Sequence, residues 1–102
     1  MRSSMKAVQI IEYHRPFHYG DCPIPDLDPN ETLVRVKASG LCLTDLHLSQ
    51  GRQRIEPLPR IPGHESAGEV TALGAEVKDW KIGQRVLVVI DISCQACFHC
   101  LT

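Results

Sequence analysis

Two groups of side chains in this sequence have the types and spacing to hold a metal ion. The first is split along the chain. Cys42 lies in the run Gly40-Leu41-Cys42-Leu43-Thr44-Asp45-Leu46-His47, and His64 and Glu65 lie in the later triplet Gly63-His64-Glu65. The second is local, Cys94-x2-Cys97-x2-Cys100, two residues before Thr102. Zinc takes Cys sulfur and His nitrogen, and a catalytic zinc site keeps one position open for water or substrate. A thiolate, an imidazole and a carboxylate beside a hydroxyl–imidazole pair suit an ion that handles an alcohol.

Each residue of the first group also has a plainer reading. A cysteine between apolar neighbours is often a small buried hydrophobe. On a short helix, however, Cys42 and Asp45 share a face, as do Thr44 and His47. Cys42 and His47 stand about 140° apart around such a helix, so His47 is poorly placed for the same ion. It is better placed to hydrogen-bond the Thr44 hydroxyl, which predicts a relay carrying a substrate proton from Thr44 towards His47 and water. The alternative is a solvated histidine and a capping threonine. Asp45 can accept the second ring N–H of His64 and fix its tautomer. Glu65 offers a spare oxygen ligand, or else a surface ion pair with Arg60. Gly63 permits close backbone approach or a positive φ beside His64.

The elements that must position these groups are short. Met5–Tyr13 is rich in β-branched residues and reads as a strand. Pro16, Pro23, Pro25 and Pro29 make residues 16–30 a loop or edge. Glu31–Ser39 alternates, which predicts a strand with one buried face. Leu41–Gln50 is the one helix expected, starting near Cys42 or Thr44 and ended by Gly51. Arg52–Pro62 is a second proline-punctuated loop, Ser66–Leu73 a strand, Val77–Gln84 a turn and Arg85–Ile90 a strand. Asp91–Thr102 lacks apolar periodicity and is organised by its cysteines. Short strands and many turns favour a mainly β barrel in one domain, residues 1–102, with a cysteine lobe at 91–102.

Composition narrows the function classes. Eleven basic against twelve acidic residues give a net charge of -1, which argues against nucleic acid or an anionic membrane as partner. The longest apolar run, Val86–Ile90, is too short to span a bilayer. Arg2 and Lys6 are followed by no long apolar core, so a signal peptide is not expected. Met5 is an alternative start, with Met1–Ser4 an extension. Five cysteines would suggest disulfides in a secreted chain, but the odd count and ligand-like spacing favour a reducing cytoplasm and zinc. Cys22, His14 and His18 have no matching partners and read as structural or exposed. Trp80 reads as covering one end of the barrel or packing on a further domain.

The stretch Gly63-His64-Glu65-Ser66-Ala67-Gly68, then Gly74, then Val77, resembles the zinc-site signature of the medium-chain zinc-dependent alcohol dehydrogenases. The Gly40–His47 run, Pro59-Arg60-Ile61-Pro62 and Lys81-Ile82-Gly83-Gln84-Arg85-Val86 are similar to that family too. The resemblance implies a GroES-like irregular β-barrel with one short helix. It implies that Cys42 and His64 bind catalytic zinc, that Thr44 and His47 relay the proton, and that Asp45 supports His64. It further implies a small alcohol or aldehyde substrate, NAD or NADP held by a Rossmann domain, and a homo-oligomer of the longer product. These residues contain no Gly-x-Gly-x-x-Gly and no βαβ alternation, so the Rossmann domain is absent from them. No residue here matches the family's third protein ligand, and Leu43 stands where some relatives carry a basic residue. The family closes the structural zinc site with a fourth cysteine beyond Cys100.

The expected reading is therefore the zinc-holding domain of a dehydrogenase, truncated here and inactive alone, because hydride transfer needs the nicotinamide held against the alcohol. The alternative is a stand-alone GroES-like module that binds zinc or protein without catalysis. A zinc-free quinone reductase relative is disfavoured by the intact Cys42 and His64.

Overall fold

The computed structural model describes residues 3–102; Met1 and Arg2, half of the suggested extension, lie outside the described residues. The described residues form five strands and two short helices. In order these are β1 (Ser4–Gln9), β2 (His18–Pro23), β3 (Thr32–Ser39), α1 (Leu43–Ser49), β4 (Ser66–Leu73), β5 (Arg85–Leu87) and α2 (Phe98–Leu101). β1 and β2 make one antiparallel sheet, and β3, β4 and β5 make a second in that order. The mainly β class is as the sequence implies.

β2 falls in the stretch expected to be loop or edge, and is an edge strand. Proline is tolerated at the terminus of an edge strand, and Pro23 sits there, opposite Ser4. Lys6 meets Asp21 across this pair at 2.8 Å, both side chains exposed. Beyond β1, Ile10 and Arg60 exchange backbone hydrogen bonds of 2.7 and 3.0 Å, which anchors the proline-rich loop that leads to His64. His14 donates its N–H to Ser49 O at 2.7 Å and so ties the end of α1 to the first sheet. Among the described residues Ile10, Cys22 and Val70 are the buried apolar side chains; Cys22 is thus structural.

The ladder between β3 and β4 runs from Thr32↔Leu73 to Ser39↔Ser66, with irregularities at Leu33/Val34 and Val36/Ala38. A bulge adds a residue to one strand and reverses which side chains share a face. The alternation predicted for 31–39 therefore does not give one buried face: Val34 is half-buried but Val36 is 54 % exposed. The second irregularity also brings the Arg35 carbonyl over Gly68, where a Cβ would lie 2.1 Å from its oxygen. No other residue fits there without moving the strand.

α1 matches the expected helix, trimmed at both ends. Cys42 is its N-cap in extended conformation, and Asp45 accepts the Cys42 N–H on Oδ2 at 3.1 Å. Gly51, at φ 69°, ends it as glycine often does. α2 was not foreseen. It is a single turn after Cys97, which serves as its N-cap. β5 is shorter than the predicted 85–90, although Val88 continues the ladder with one bond to Ser66. The radius of gyration is 15.4 Å, in an envelope of 42 × 41 × 22 Å. A compact chain of this length has about 13 Å, so the two sheets stand open and flat, and much of the apolar surface of β5 and the following segment faces solvent. Trp80 is half-exposed, beside Asn30, Thr32 and Val77. No helix among the described residues is long and apolar enough to cross a membrane.

Candidate metal centre

The first donor group is built where β3 ends and β4 begins. The Ser39↔Ser66 pair closes the ladder, and Gly40 donates its N–H to Glu65 O at 2.9 Å just beyond it. The segments carrying Cys42 and His64 are thereby clamped side by side. Donor atoms of Cys42, His64 and Glu65 all lie within 4.8 Å of one another. Gly63 adopts φ 114°, a conformation that a residue with a Cβ holds only under strain. It turns the chain out of the proline loop so that His64 follows immediately. Gly40 clears the other side: a Cβ there would stand 3.2 Å from Glu65 Cβ and 3.3 Å from Glu65 Oε2. The contact of Gly40 with Glu65 was missed from the sequence, where a glycine so near a ligand motif was the available signal.

Asp45 is 3 % exposed. One carboxylate oxygen is satisfied by Cys42 N–H, and the other, Oδ1, has no hydrogen-bond partner. Oδ1 lies 3.9 Å from His64 Nδ1. A buried unpaired carboxylate oxygen is costly. A proton on His64 Nδ1 answers it and leaves Nε2 free as a lone-pair donor, the arrangement found behind metal-ligating histidines. The orphaned oxygen, the half-buried His64 and the adjacent thiol therefore fit a zinc ion, and the exposed Glu65 carboxylate fits as an additional oxygen donor.

Thr44 is oriented differently from expectation. Its hydroxyl oxygen lies 3.6 Å from Cys42 Sγ and accepts from the thiol. Among the described residues no hydrogen bond joins Thr44 to His47, although both sit on α1. Nor does an ion pair join Glu65 to Arg60.

The second donor group is separate and needs little fold. Cys94, Cys97 and Cys100 also place their sulfurs within 4.8 Å of one another, and all three are exposed. Cys94 and Cys97 each lie near Cys100, at 3.6 and 3.4 Å. Backbone N–H groups, first that of Ala96 and then that of Cys97, act with the two neighbouring thiols to pull the Cys94 thiol from an ordinary 9.0 down to about 7. Such a lowered thiol is a ready metal ligand. All five cysteines are free thiols.

Residues 28–102 match the alcohol dehydrogenase GroES-like domain. The chain is 44 % identical over 96 residues to D-altritol 5-dehydrogenase of Agrobacterium fabrum, covering 94 % of this chain and 28 % of that protein. Its fold is shared with an alcohol dehydrogenase zinc-binding domain protein from Burkholderia ambifaria, at TM-score 0.87 and 36 % identity, over 96 % of this chain and 26 % of the other. It is shared too with CAD from Helicobacter pylori in complex with NADP(H), at TM-score 0.81 and 32 % identity, over 99 % of this chain and 29 % of that one. The chain thus spans under a third of the length of these relatives. With the matched domain covering most of its length and the same fold in these dehydrogenases, this chain belongs to the alcohol dehydrogenase GroES-like domain family.

Proposed function

We propose that these residues are the zinc-holding part of a dehydrogenase that oxidises a small alcohol, or reduces the matching aldehyde, with NAD or NADP. The proximity of Cys42, His64 and Glu65 carries this reading, and the orphaned Asp45 oxygen supports it. Cys42 and His64 are the zinc ligands here, with Glu65 an exchangeable oxygen donor. Bound zinc would supply Lewis acidity to a substrate oxygen, and the nicotinamide would accept or donate hydride.

The chain's own residues handle position and protons. Asp45 holds the His64 ring in one tautomer. The Thr44 hydroxyl, beside Cys42 Sγ, takes the substrate proton and passes it towards His47, which lies one helical turn further and whose imidazole can accept a proton. Reaching His47 requires the Thr44 hydroxyl to leave its Cys42 contact. Cys94, Cys97 and Cys100 form three quarters of a structural zinc site. The sources of support for a nicotinamide and for zinc are the NADP(H)-bound and zinc-binding relatives; the Rossmann domain, homo-oligomer and cytoplasmic setting belong to the same proposal. Among relatives, the altritol dehydrogenase favours a polyol as substrate.

Cobalt substitution tests the site. Cobalt(II) bound to the chain should give a thiolate charge-transfer band that survives replacement of Cys94, Cys97 and Cys100 by serine and is lost in Cys42→Ser or His64→Ala. A band indifferent to Cys42 and His64 rejects the reading. Binding of one ion at Cys42 and His64 in the longest native product, without any alcohol oxidation, would favour the stand-alone binding module.

A further inference from the structure

α1 and β4 are joined by residues 50–65, which form neither helix nor strand apart from the bridge between Ile10 and Arg60. This connection links the helix that carries Asp45 to His64. The segment from Ile10 to His14 runs antiparallel beside it and fastens it at three points. Ile10 and Arg60 exchange both backbone bonds. The Tyr13 hydroxyl accepts the Ile55 N–H at 2.9 Å, 42 residues away along the chain. His14 donates its N–H to Ser49 O at 2.7 Å. The partners descend from 60 through 55 to 49 as the segment ascends from 10 through 13 to 14.

The middle fastening rests on one side chain. Among the described residues, the Tyr13 hydroxyl is the only group outside the connection that bonds to residues 53–59. Its ring adds to the hold by packing on Gly51, where a Cβ would stand 3.4 Å from Tyr13 Cγ. Arg54 lies 5.2 Å above the same ring, and Glu56 accepts from its guanidinium at 2.8 Å. His14 follows at φ 63°, a left-handed conformation that is unfavourable for a residue with a side chain. Such a conformation persists where its neighbours enforce it, and here the Ser49 bond and the Tyr13 contacts do so.

The fastening reaches the donor group through α1. Ser49 and Asp45 lie one helical turn apart on the same face, and both are buried, at 5 % and 3 % exposed. Asp45 presents Oδ1 to His64 Nδ1 at 3.9 Å. The face that His14 grips is therefore the face that aims this carboxylate. A separation of 3.9 Å is longer than a hydrogen bond, so a small slide of α1 decides whether the contact closes. We propose that Tyr13 is a positioning residue for the metal centre. By pinning Gly51 and Ile55 against the turn at His14, it fixes α1, and with it Asp45 and Cys42, relative to His64. This rests on the zinc reading of Cys42 and His64.

Tyr13→Phe tests it, since it keeps the ring and removes the hydroxyl. In metal-free protein, hydrogen exchange of the Ile55 amide should rise about tenfold, while that of Val70, bonded to Gln84 O in the second sheet, stays unchanged. In the 102-residue chain with Cys94, Cys97 and Cys100 replaced by serine, Tyr13→Phe should lower cobalt(II) affinity about three- to tenfold, read from the thiolate band by competition with a chelator. In Cys42→Ser instead, the cysteine group should bind cobalt equally well with or without the Tyr13 hydroxyl. Tyr13→Ala should deepen both losses, and Tyr13→Phe decides alone if that variant does not fold. Faster Ile55 exchange with unchanged cobalt affinity overturns the proposal and leaves the zinc reading standing, and unchanged Ile55 exchange does the same. An equal fall in affinity at both donor groups overturns it too, because that marks a general loss of fold. A parent chain with no band dependent on Cys42 and His64 rejects the zinc reading itself, and this proposal with it.

Discussion

Cys42, His64 and Glu65 meet because a long-range antiparallel ladder brings the end of one strand beside the start of another. Cys94, Cys97 and Cys100 meet because they are neighbours on one turn of chain. The first group rests on a buried carboxylate and two glycines, and its ligands are partly shielded. The second is exposed on every side and held by nearby backbone N–H groups. Similar donor spacing is thus reached once through tertiary structure and once through local sequence. Only the first position should fail when the fold fails.

The sharpest way to break the comparison is to remove a ligand. His64→Ala should eliminate metal binding at the first group and leave the cysteine group's stoichiometry unchanged, measured by metal analysis after gel filtration. Next in size is Gly68→Val, which forces a side chain against the Arg35 carbonyl. We expect a loss of about 1–3 kcal/mol in urea unfolding, with metal released from Cys42 and His64 at lower urea than from the cysteines. Asp45→Asn keeps an acceptor for Cys42 N–H but loses the charge facing His64. It should weaken zinc binding at the first group about 10- to 100-fold by competition with a chromophoric chelator.

The second group is sharpened by its own chemistry. A thiol lowered from an ordinary 9.0 to about 7 is already largely thiolate at a pH where an ordinary one is still protonated. In metal-free protein, alkylation of Cys94 should therefore rise through pH 7, while the buried Cys22 stays slow; peptide mapping reads both rates. The smallest effect is a control. Lys6→Ala removes the exposed bridge to Asp21 on the other sheet. It should change stability by less than about 1 kcal/mol and metal binding not at all.

The two groups also explain what the sequence could reveal. Residue type and spacing were enough to single out both donor sets, because ligand chemistry is carried by the side chains themselves. Ser66–Leu73 and the helix after Cys42 were legible since each has a clear start, a clear end and the right periodicity. β2 was legible only as loop or edge, because the tolerance of its prolines depends on lying at a strand terminus. The buried face expected for Glu31–Ser39 was upset by the irregularity at Val36/Ala38, which leaves no mark in the hydrophobic pattern. The Thr44 contact with Cys42 was out of reach for a different reason. Sequence spacing places both Cys42 and His47 within range of Thr44, and only a rotamer decides between them.

The Ser39↔Ser66 pairing that closes the ladder has a kinetic consequence. Joining those residues means closing a long loop, whose entropic cost must be met before the contacts formed can compensate. A short loop such as the one between Cys94 and Cys100 closes in about 10–100 ns or faster, with no sheet required. An ion offered to the unfolded chain therefore meets three assembled thiols long before Cys42 and His64 are within reach of each other. On the proposed metal reading, contact order sets the order of filling: the exposed cysteines should fill first, and the site beside Asp45 only in molecules whose β3 and β4 have paired at Ser39 and Ser66.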